Sequence, residues 1–215
     1  MLAQDDPALV FDVNVSGTLN VAEAMRVARL RRMVFLSSNA VYAPAPTRAP
    51  VRKDAPLAAG DPYGASKLAA ESILRADADT CGIAVTTLRI SSVFGAGRLT
   101  PYLISKVLAD AAARKLLTVT DTRSNMRQFV HVSDACEAVC RAVEAGLSGF
   151  TPINVTGGTY LSEEQVVRLL LRERPDVPLH VIADRGRDDG GRVGPLDISR
   201  AAEMLGYRPA VDLGV

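Results

Sequence analysis

Short apolar segments alternate with amphipathic helices in the first half of the chain, and this alternation constrains the fold more than any other feature. Apolar residues recur at helical spacing over residues 7–28 and again over residues 63–78. Residues 33–38 are short and apolar, and residues 83–90 are rich in β-branched side chains, as expected of buried strands. Because neighbouring parallel strands must be joined by a crossover, this order predicts an α/β fold with a parallel sheet and flanking helices.

A proline-rich segment, residues 43–62, follows the first predicted strand. Proline removes an amide donor and clashes inside a helix, so we predict a long loop there. Later elements are shorter and predict a small cap on the sheet. They are helices at 101–113, 135–145, 166–171 and 199–205, and strands at 117–120, 128–132 and 152–155. Ser133 and Asp134 are the predicted N-cap of the helix at 135–145, and Ser162 with Gln165 has capping-box spacing.

Charge and cysteine content narrow the expected partners and compartment. The chain has 25 Lys and Arg against 24 Asp and Glu, so its net charge of +1 indicates no nucleic-acid or membrane surface. No apolar run reaches the roughly 18 residues that span a bilayer, and residues 1–7 lack the features of a signal peptide. Cys81, Cys136 and Cys140 lack zinc-site spacing, so we predict no metal and expect reduced core thiols in a cytoplasmic protein.

Tyr63 and Lys67 are the first candidates for chemistry. A spacing of four places both on one helix face, and a nearby ammonium favours a phenolate, so Lys67 is expected to lower the pKa of Tyr63. An incidental surface pair has the same spacing. The setting favours function, because Ser37 and Ser38 end the preceding strand, and the carboxyl ends of parallel strands form ligand crevices. A serine pair there would otherwise only cap the strand.

Six motifs together resemble the extended short-chain dehydrogenases/reductases, in their NAD-dependent epimerase/dehydratase branch. They are NVSGTLN (14–20), FLSSNAVY (35–42), PYGASK (62–67), LRISSVFG (88–95), RQFVHVSD (127–134) and LGYRP (205–209). The resemblance implies a partial Rossmann-like parallel sheet with flanking helices and a small C-terminal α/β substrate-binding cap. Residues 1–115 would form the C-terminal half of the NAD(P)-binding domain, with 150–160 returning to the sheet. Residues 116–215 would be mainly cap.

The resemblance also implies roles for individual residues. Tyr63 is similar to the family's catalytic acid/base, Lys67 to the partner that also holds the nicotinamide ribose, and Ser38 to the group that hydrogen-bonds the reacting oxygen. The further residues expected near NAD are Asn14, Ser37 and Ser91. Asn14 could instead be an ordinary helix-interior polar residue, and Ser91 an ordinary loop serine. The cofactor is expected to be NAD, with NADP left open.

On the substrate side, the resemblance points to Ser38, Asn39, Ser92, Arg127 and Arg187. Guanidinium groups suit a nucleotide diphosphate, although Arg185 and Arg192 compete with Arg187 for that role and Arg127 could be a solvated surface charge. Two departures matter. Asn39 and Ala40 replace an Asp-Glu pair that 4,6-dehydratases use to eliminate water, which disfavours a dehydratase. Ser92 stands where many members have a substrate-binding asparagine, which weakens the case for a standard hexose-nucleotide site.

The family's Gly-x-x-Gly-x-x-Gly turn, which brings backbone amides to the cofactor's pyrophosphate, is not found in the sequence. Gly95 and Gly97 follow the tyrosine motif and do not open a first βαβ unit, so they are no substitute. The sequence thus predicts that roughly 60 to 70 residues of a mononucleotide-binding half are lacking. The loss would leave one sheet edge and an apolar helix face uncovered.

Three functions remain open from the sequence. The first is an NAD(P)-dependent epimerase of a nucleotide-linked sugar. The second is an NAD(P)-dependent dehydrogenase or reductase of a sugar acid or other small carbonyl compound. The third is a cofactor-free fragment that acts as a binding module. A homodimer through the helices at 7–28 and 63–78, the pair that forms a four-helix interface in the family, fits each of them.

Overall fold

The computed structural model describes residues 6–44, 49–98, 100, 102–121, 126–183 and 193–213. The α-helices are α1 (Pro7–Phe11), α2 (Gly17–Val27), α3 (Pro62–Cys81), α4 (Leu103–Ala112), α5 (Val132–Glu144), α6 (Glu163–Leu170) and α7 (Ser199–Leu205). The strands are β1 (Arg32–Ser38), β2 (Ala84–Ile90), β3 (Ser92–Phe94), β4 (Leu117–Asp121), β5 (Met126–His131), β6 (Phe150–Val155), β7 (Tyr160–Ser162) and β8 (Leu179–Ala183).

The main sheet is three-stranded and parallel, in the order β1-β2-β6. Val34 pairs with Thr86, and Leu88 pairs with Ile153, so β2 is the central strand. Its five central residues are buried, as expected of a parallel strand covered on both faces. The predicted α/β fold with a parallel sheet and flanking helices is confirmed.

Helices cover both faces of this sheet. On one face, Ala22 and Met25 of α2 and Leu74 of α3 pack in one core cluster with Ile83 and Val85. On the other face, alanines of α5 and residues of α7 pack on Leu88, Ile153 and Val155. Helix α3, in the first of these layers, carries Tyr63 and Lys67 at its start.

Two smaller sheets complete the described fold. In one, β5 pairs with β3 in parallel and with β7 in antiparallel fashion. In the other, β4 and β8 are parallel. Helices α4 and α6 pack on these strands around the buried residues Val107, Val119 and Val167. These elements lie beside the carboxyl end of β2, because β3 follows it after one residue.

The first helix is interrupted where the sequence predicts a regular helix. A π-helical turn, Asp12–Ser16, joins α1 to α2. Such turns occur frequently at functional sites. This one carries Asn14, whose amide donates a hydrogen bond to Ser66 of α3 at 2.9 Å.

Two local predictions about α5 are wrong. The helix begins at Val132, and its N-cap is His131, whose ring nitrogen accepts a hydrogen bond from the Ser133 amide. Asp134 is buried and instead accepts from the amides of residues 210 and 211. The thiols of Cys136 and Cys140 are exposed and do not form the core, whereas Cys81 of α3 is half-buried and packs against the core cluster of Ala22, Met25 and Leu74. The face of α5 toward the sheet consists of smaller alanine side chains.

Among the helices that the structure describes, none combines the length and the apolar character needed to cross a bilayer.

Candidate active site

The first turn of α3 is held in place by its own sequence. Asp61 caps the helix, accepting a hydrogen bond from the Gly64 amide at 2.7 Å, and Pro62 occupies the first helical position. A Cβ at Gly64 would lie 2.3 Å from the carbonyl oxygen of Ala40. Only glycine therefore allows α3 to approach the short 3-10 turn that follows β1. This approach brings Tyr63 beside Ser38.

Tyr63 and Ser38 face each other at the end of β1. The Ser38 hydroxyl accepts a hydrogen bond from the Ala40 amide at 3.2 Å. Burial raises the pKa of the Tyr63 phenol above its usual value, a hydrogen bond with Ser38 opposes that rise, and the negative charge of Asp61 adds to it. The net direction is upward, so the phenol carries its proton at neutral pH.

Lys67 does not act on Tyr63 as the sequence predicts. Its ammonium donates to the carbonyl oxygen of Leu36 at 3.0 Å and lies 5.2 Å from the ring centroid of Phe35. Burial lowers the pKa of this lysine. Within the described residues, β1 pairs with β2 alone, and the Leu36 carbonyl lies on the unpaired side of the strand. That free oxygen attracts the ammonium, and no lowering of the phenol's pKa by Lys67 is found.

Two adjoining pockets share Ser38, Asn39, Tyr63 and Ser92 in their walls. The lysine pocket has a volume of about 650 Å³, and its polar lining adds Ser37, Lys67, Ser91, Arg98 and Thr100. The arginine pocket has a volume of about 410 Å³, and its polar lining adds Tyr42, Asp61, Tyr102, Arg127 and Gln128. The hydroxyls of Ser38 and Tyr63 thus stand where the two pockets meet.

The residues predicted to contact a cofactor divide between two places. Ser37 and Ser91 line the lysine pocket. The Ser37 hydroxyl donates to Glu71 at 2.6 Å, and the Ser91 hydroxyl donates to Thr156 at 3.0 Å. Asn14 does not line this pocket and lies with Lys67 in a separate groove along β1. Through its bond to Ser66, Asn14 supports the turn of α3 that carries Tyr63.

Of the predicted substrate residues, Asn39, Ser92 and Arg127 reach the arginine pocket together with Ser38. Arg187 and its competitors Arg185 and Arg192 lie outside the described residues. The sequence did not single out Tyr102, whose hydroxyl lies 3.0 Å from that of Ser92 and also accepts from Arg127 at 3.4 Å. A tyrosine at the second position of the helix predicted at 101–113 gave no signal, because its partners Ser92 and Arg127 are distant in sequence.

Arg98 and Glu163 were missed as well. The Arg98 guanidinium donates to the Val93 carbonyl and stacks 4.4 Å from the ring centroid of Tyr102. Glu163 begins α6 and forms an ion pair with Arg127. The signal for Glu163 was the capping box, which located the start of α6 and so a position for an acidic side chain, but not its partner.

A family model described as the NAD dependent epimerase/dehydratase family matches residues 2–156. The chain belongs to this family. It is similar to a UDP-glucose 4-epimerase of Streptomyces lividans, 32% identical over 97% of this chain and 68% of the relative. It is also similar to a dTDP-glucose 4,6-dehydratase of Xanthomonas campestris pv. campestris strain B100, 30% identical over 96% of this chain and 64% of the relative. The chain spans about two thirds of the length of these relatives.

A solved relative has the same fold. The UDP-glucose-4-epimerase from Stenotrophomonas maltophila, with bound NAD and formylated UDP-arabinopyranose, superposes with a TM-score of 0.85 and is 26% identical. The match covers 99% of this chain and 68% of that one. The predicted resemblance to the epimerase/dehydratase family is confirmed.

In the present chain, a buried charged network lies beneath the two pockets. Arg89 donates to both carboxylate oxygens of Glu71, at 3.0 Å from Nε and 2.6 Å from Nη2. Its Nη1 donates to the Tyr42 hydroxyl at 3.0 Å, and that hydroxyl donates to Asn154 at 2.6 Å. Because Glu71 also accepts from Ser37, the network connects α3 to the end of β1. Tyr63 and Ser38 are thereby carried by elements that are bonded to each other.

Proposed function

We propose that this chain functions as an NAD-dependent epimerase of a nucleotide-linked sugar. Its catalytic residues would be Ser38, Tyr63 and Lys67. The main support is the meeting of the Ser38 and Tyr63 hydroxyls at the junction of two pockets, one large enough for part of a dinucleotide and one for a sugar. The 4-epimerase relatives support the reaction class. Because the chain spans about two thirds of their length, activity, substrate and partners are proposed rather than transferred.

The lysine pocket fits the nicotinamide-ribose half of NAD. Lys67 can donate to ribose hydroxyls from its wall, and the polar groups of Ser37 and Ser91 line its floor. The described residues offer no glycine-rich turn at a helix N-terminus for the pyrophosphate. NAD would supply the acceptor and donor of hydride, while the chain's own groups orient it and handle the proton.

Tyr63 would transfer the proton to or from the reacting oxygen of the sugar, and Ser38 would hydrogen-bond to the same oxygen. The phenol is protonated at neutral pH in the free protein, so it must be stabilised as a phenolate to act as a base. A cation that moves closer provides this stabilisation, and the Lys67 ammonium on the same helix face is the candidate. If the Lys67 ammonium moved from the Leu36 carbonyl toward the phenol, it would lower the pKa of Tyr63.

We place the sugar nucleotide in the arginine pocket, with Asn39 and Ser92 near the sugar and Arg127 near the phosphates. Asn39 and Ala40 provide no carboxyl group for water elimination, which favours epimerisation over dehydration. Arg187 stays a prediction for the phosphates.

We also propose that the chain forms a homodimer through residues 7–28 and 63–78. Exposed apolar side chains on the first of these helices support the proposal: Leu9, Phe11, Leu19 and Val27. Light scattering during gel filtration should give about twice the chain mass of 22.8 kDa. A monomer at micromolar concentration would contradict the dimer.

The function is tested by incubating the protein with NAD and UDP-glucose or UDP-galactose and following interconversion by proton NMR. Tyr63→Phe should lower the turnover by about 100-fold or more, the usual contribution of a general acid or base. Ser72→Ala is the matched control, because it removes an exposed hydroxyl from the same helix. Full turnover in Tyr63→Phe, or NADH binding without interconversion of any sugar-nucleotide pair tested, would refute the proposal. The chain lacks tryptophan, so NADH emission reports binding without interference from indole.

A further inference from the structure

Arg127, the cation of the arginine pocket, already has an anionic partner. Both Nε and Nη2 donate to the same carboxylate oxygen of Glu163, the first of them at 3.1 Å. The two side chains are 20% and 19% exposed, so the pair is mostly buried but stays in contact with solvent. The third nitrogen, Nη1, faces the Tyr102 hydroxyl at 3.4 Å. Every nitrogen of this guanidinium therefore has a partner within the protein.

The backbone fixes this pairing. Strand β5 pairs antiparallel with β7, with Arg127 opposite Leu161, and Glu163 lies two residues further on as the first residue of α6. Ser162 and Gln165 form a reciprocal capping box that holds the start of α6. Glu163 thus occupies a rigid helix end beside the arginine rather than the end of a flexible loop.

The pairing changes the charge of the arginine pocket. Among the described residues that line it, the charged side chains are Asp61 and Arg127. With Glu163 neutralising Arg127, the described lining of this pocket is net negative through Asp61. The charged residues among the described lining of the lysine pocket are Lys67 and Arg98, so that pocket is net positive. The described linings of the two pockets that meet at Tyr63 therefore have opposite net charge.

We infer that Glu163 is a specificity-determining residue that withholds Arg127 from phosphate groups and so sets how strongly the arginine pocket binds an anionic ligand. A phosphate must either displace the carboxylate or bind a guanidinium whose charge is already balanced, and both lower the affinity. The inference deepens the proposed function in one respect, because it takes the arginine pocket as the side that receives the substrate's phosphates.

The test measures anion binding by calorimetry, with inorganic diphosphate and UDP as probes at one fixed ionic strength. Glu163→Gln keeps the size of the side chain and an oxygen that can accept from Arg127, but removes the charge. We expect this variant to bind both probes about tenfold more tightly than the wild-type protein, since one full charge next to a half-buried guanidinium is lost. Glu163→Asp keeps the charge and should stay within a few-fold of wild type.

The neighbouring residue provides a matched control. Glu164 is also in the first turn of α6 and pairs with Arg168 rather than with a pocket residue. Glu164→Gln therefore changes the net charge and the helix-end charge by the same amount, and it should leave diphosphate binding unchanged. The double variant Glu163→Gln with Arg127→Gln should lose the gain entirely.

Three outcomes of the comparison between variants would overturn the inference. These are equal affinities of Glu163→Gln and wild type, an equal gain in Glu164→Gln, and a gain that persists without Arg127. Absence of binding to both wild type and Glu163→Gln would overturn it as well. Because no nicotinamide and no turnover enter this measurement, failure of epimerisation would not alter its outcome. A folding defect cannot imitate the expected result, since it would weaken binding rather than strengthen it.

Discussion

Two arginine–glutamate pairs in this protein have the same chemistry and opposite settings. Arg89 and Glu71 lie beneath the pockets with side chains 1% and 3% exposed. Arg127 and Glu163 lie at the wall of the arginine pocket with side chains 20% and 19% exposed. The first pair joins α3 to β2, and the second joins β5 to the start of α6. Burial rather than residue type decides what each pair contributes.

In the buried pair, all three guanidinium nitrogens of Arg89 and both carboxylate oxygens of Glu71 have hydrogen-bond partners. Beyond its bonds to Glu71, Arg89 donates to the Tyr42 hydroxyl and to the Lys53 carbonyl at 2.9 Å. Burial alone would lower the pKa of Arg89, but the hydrogen bonds and charge of Glu71 outweigh it and raise the pKa. A fully satisfied network of this kind is stable while intact and costly when one member is removed. The pocket pair lies next to space that a ligand can enter, so its carboxylate can be exchanged for another anion.

The largest expected effect on stability is from Glu71→Ala. The variant leaves the guanidinium of Arg89 buried without its counter-charge, and we expect a loss of about 3–5 kcal/mol in the free energy of unfolding. Urea titration followed by circular dichroism measures it. Glu137→Ala, which breaks an exposed pair with Arg141, is the control and should change stability by less than about 0.5 kcal/mol. A loss below 1 kcal/mol for Glu71→Ala would mean that burial does not separate the two pairs.

A smaller effect is expected from Tyr42→Phe. Removal of the hydroxyl leaves the side-chain oxygen Oδ1 of Asn154 without its donor and takes one acceptor from Arg89, which should cost about 1–3 kcal/mol. Tyr102→Phe removes the equivalent hydroxyl from the pocket pair, where water can replace it, and should cost less than about 1 kcal/mol. Thermal melts of both variants measure the difference. Equal shifts would show that the two networks are equally important for folding.

Of the two arginine–glutamate pairs, the pocket pair should contribute less to stability: Glu163→Ala should cost at most about 1 kcal/mol, because this pair is partly solvated. Raising the salt concentration from 0.1 M to 1 M should reduce that difference, since screening acts on accessible charges. The loss in Glu71→Ala should persist in the same salt. Unfolding curves at both salt concentrations test this. A salt-independent effect of Glu163→Ala would mean that the pocket pair is as inaccessible to ions as the buried pair.

Regular elements with a strong local signal could be predicted from the sequence. The helix at 199–205 has the predicted bounds, and the capping box of Ser162 and Gln165 is present in full. Strands β3, β7 and β8 were not predicted, because strands of three residues show no periodicity and a five-residue strand after two prolines resembles a loop. The cap of α5 was misassigned because a serine and an aspartate favour caps by propensity, whereas tertiary contacts decide where Asp134 points.

The candidate site was only partly accessible to sequence reasoning. Motifs located Ser38, Tyr63 and Lys67, and the structure brings them to one pocket. Their electrostatics could not be predicted, since the pKa of Tyr63 depends on burial and on Asp61, and the lysine's partner is a backbone carbonyl. Glu71 gave no functional signal either, because a glutamate four residues beyond a lysine on a helix is typical of an exposed ion pair.

Under the proposed mechanism, the contact between Lys67 and the Leu36 carbonyl links strand addition thermodynamically to the acid–base chemistry of Tyr63. A polypeptide that paired in parallel along the unpaired side of β1 would donate an amide to that same oxygen. It would then compete with the ammonium, and the released lysine would be available to the phenol one turn away. Linkage is reciprocal, so any ligand that draws the lysine toward Tyr63 also makes the strand edge more receptive, by the same factor.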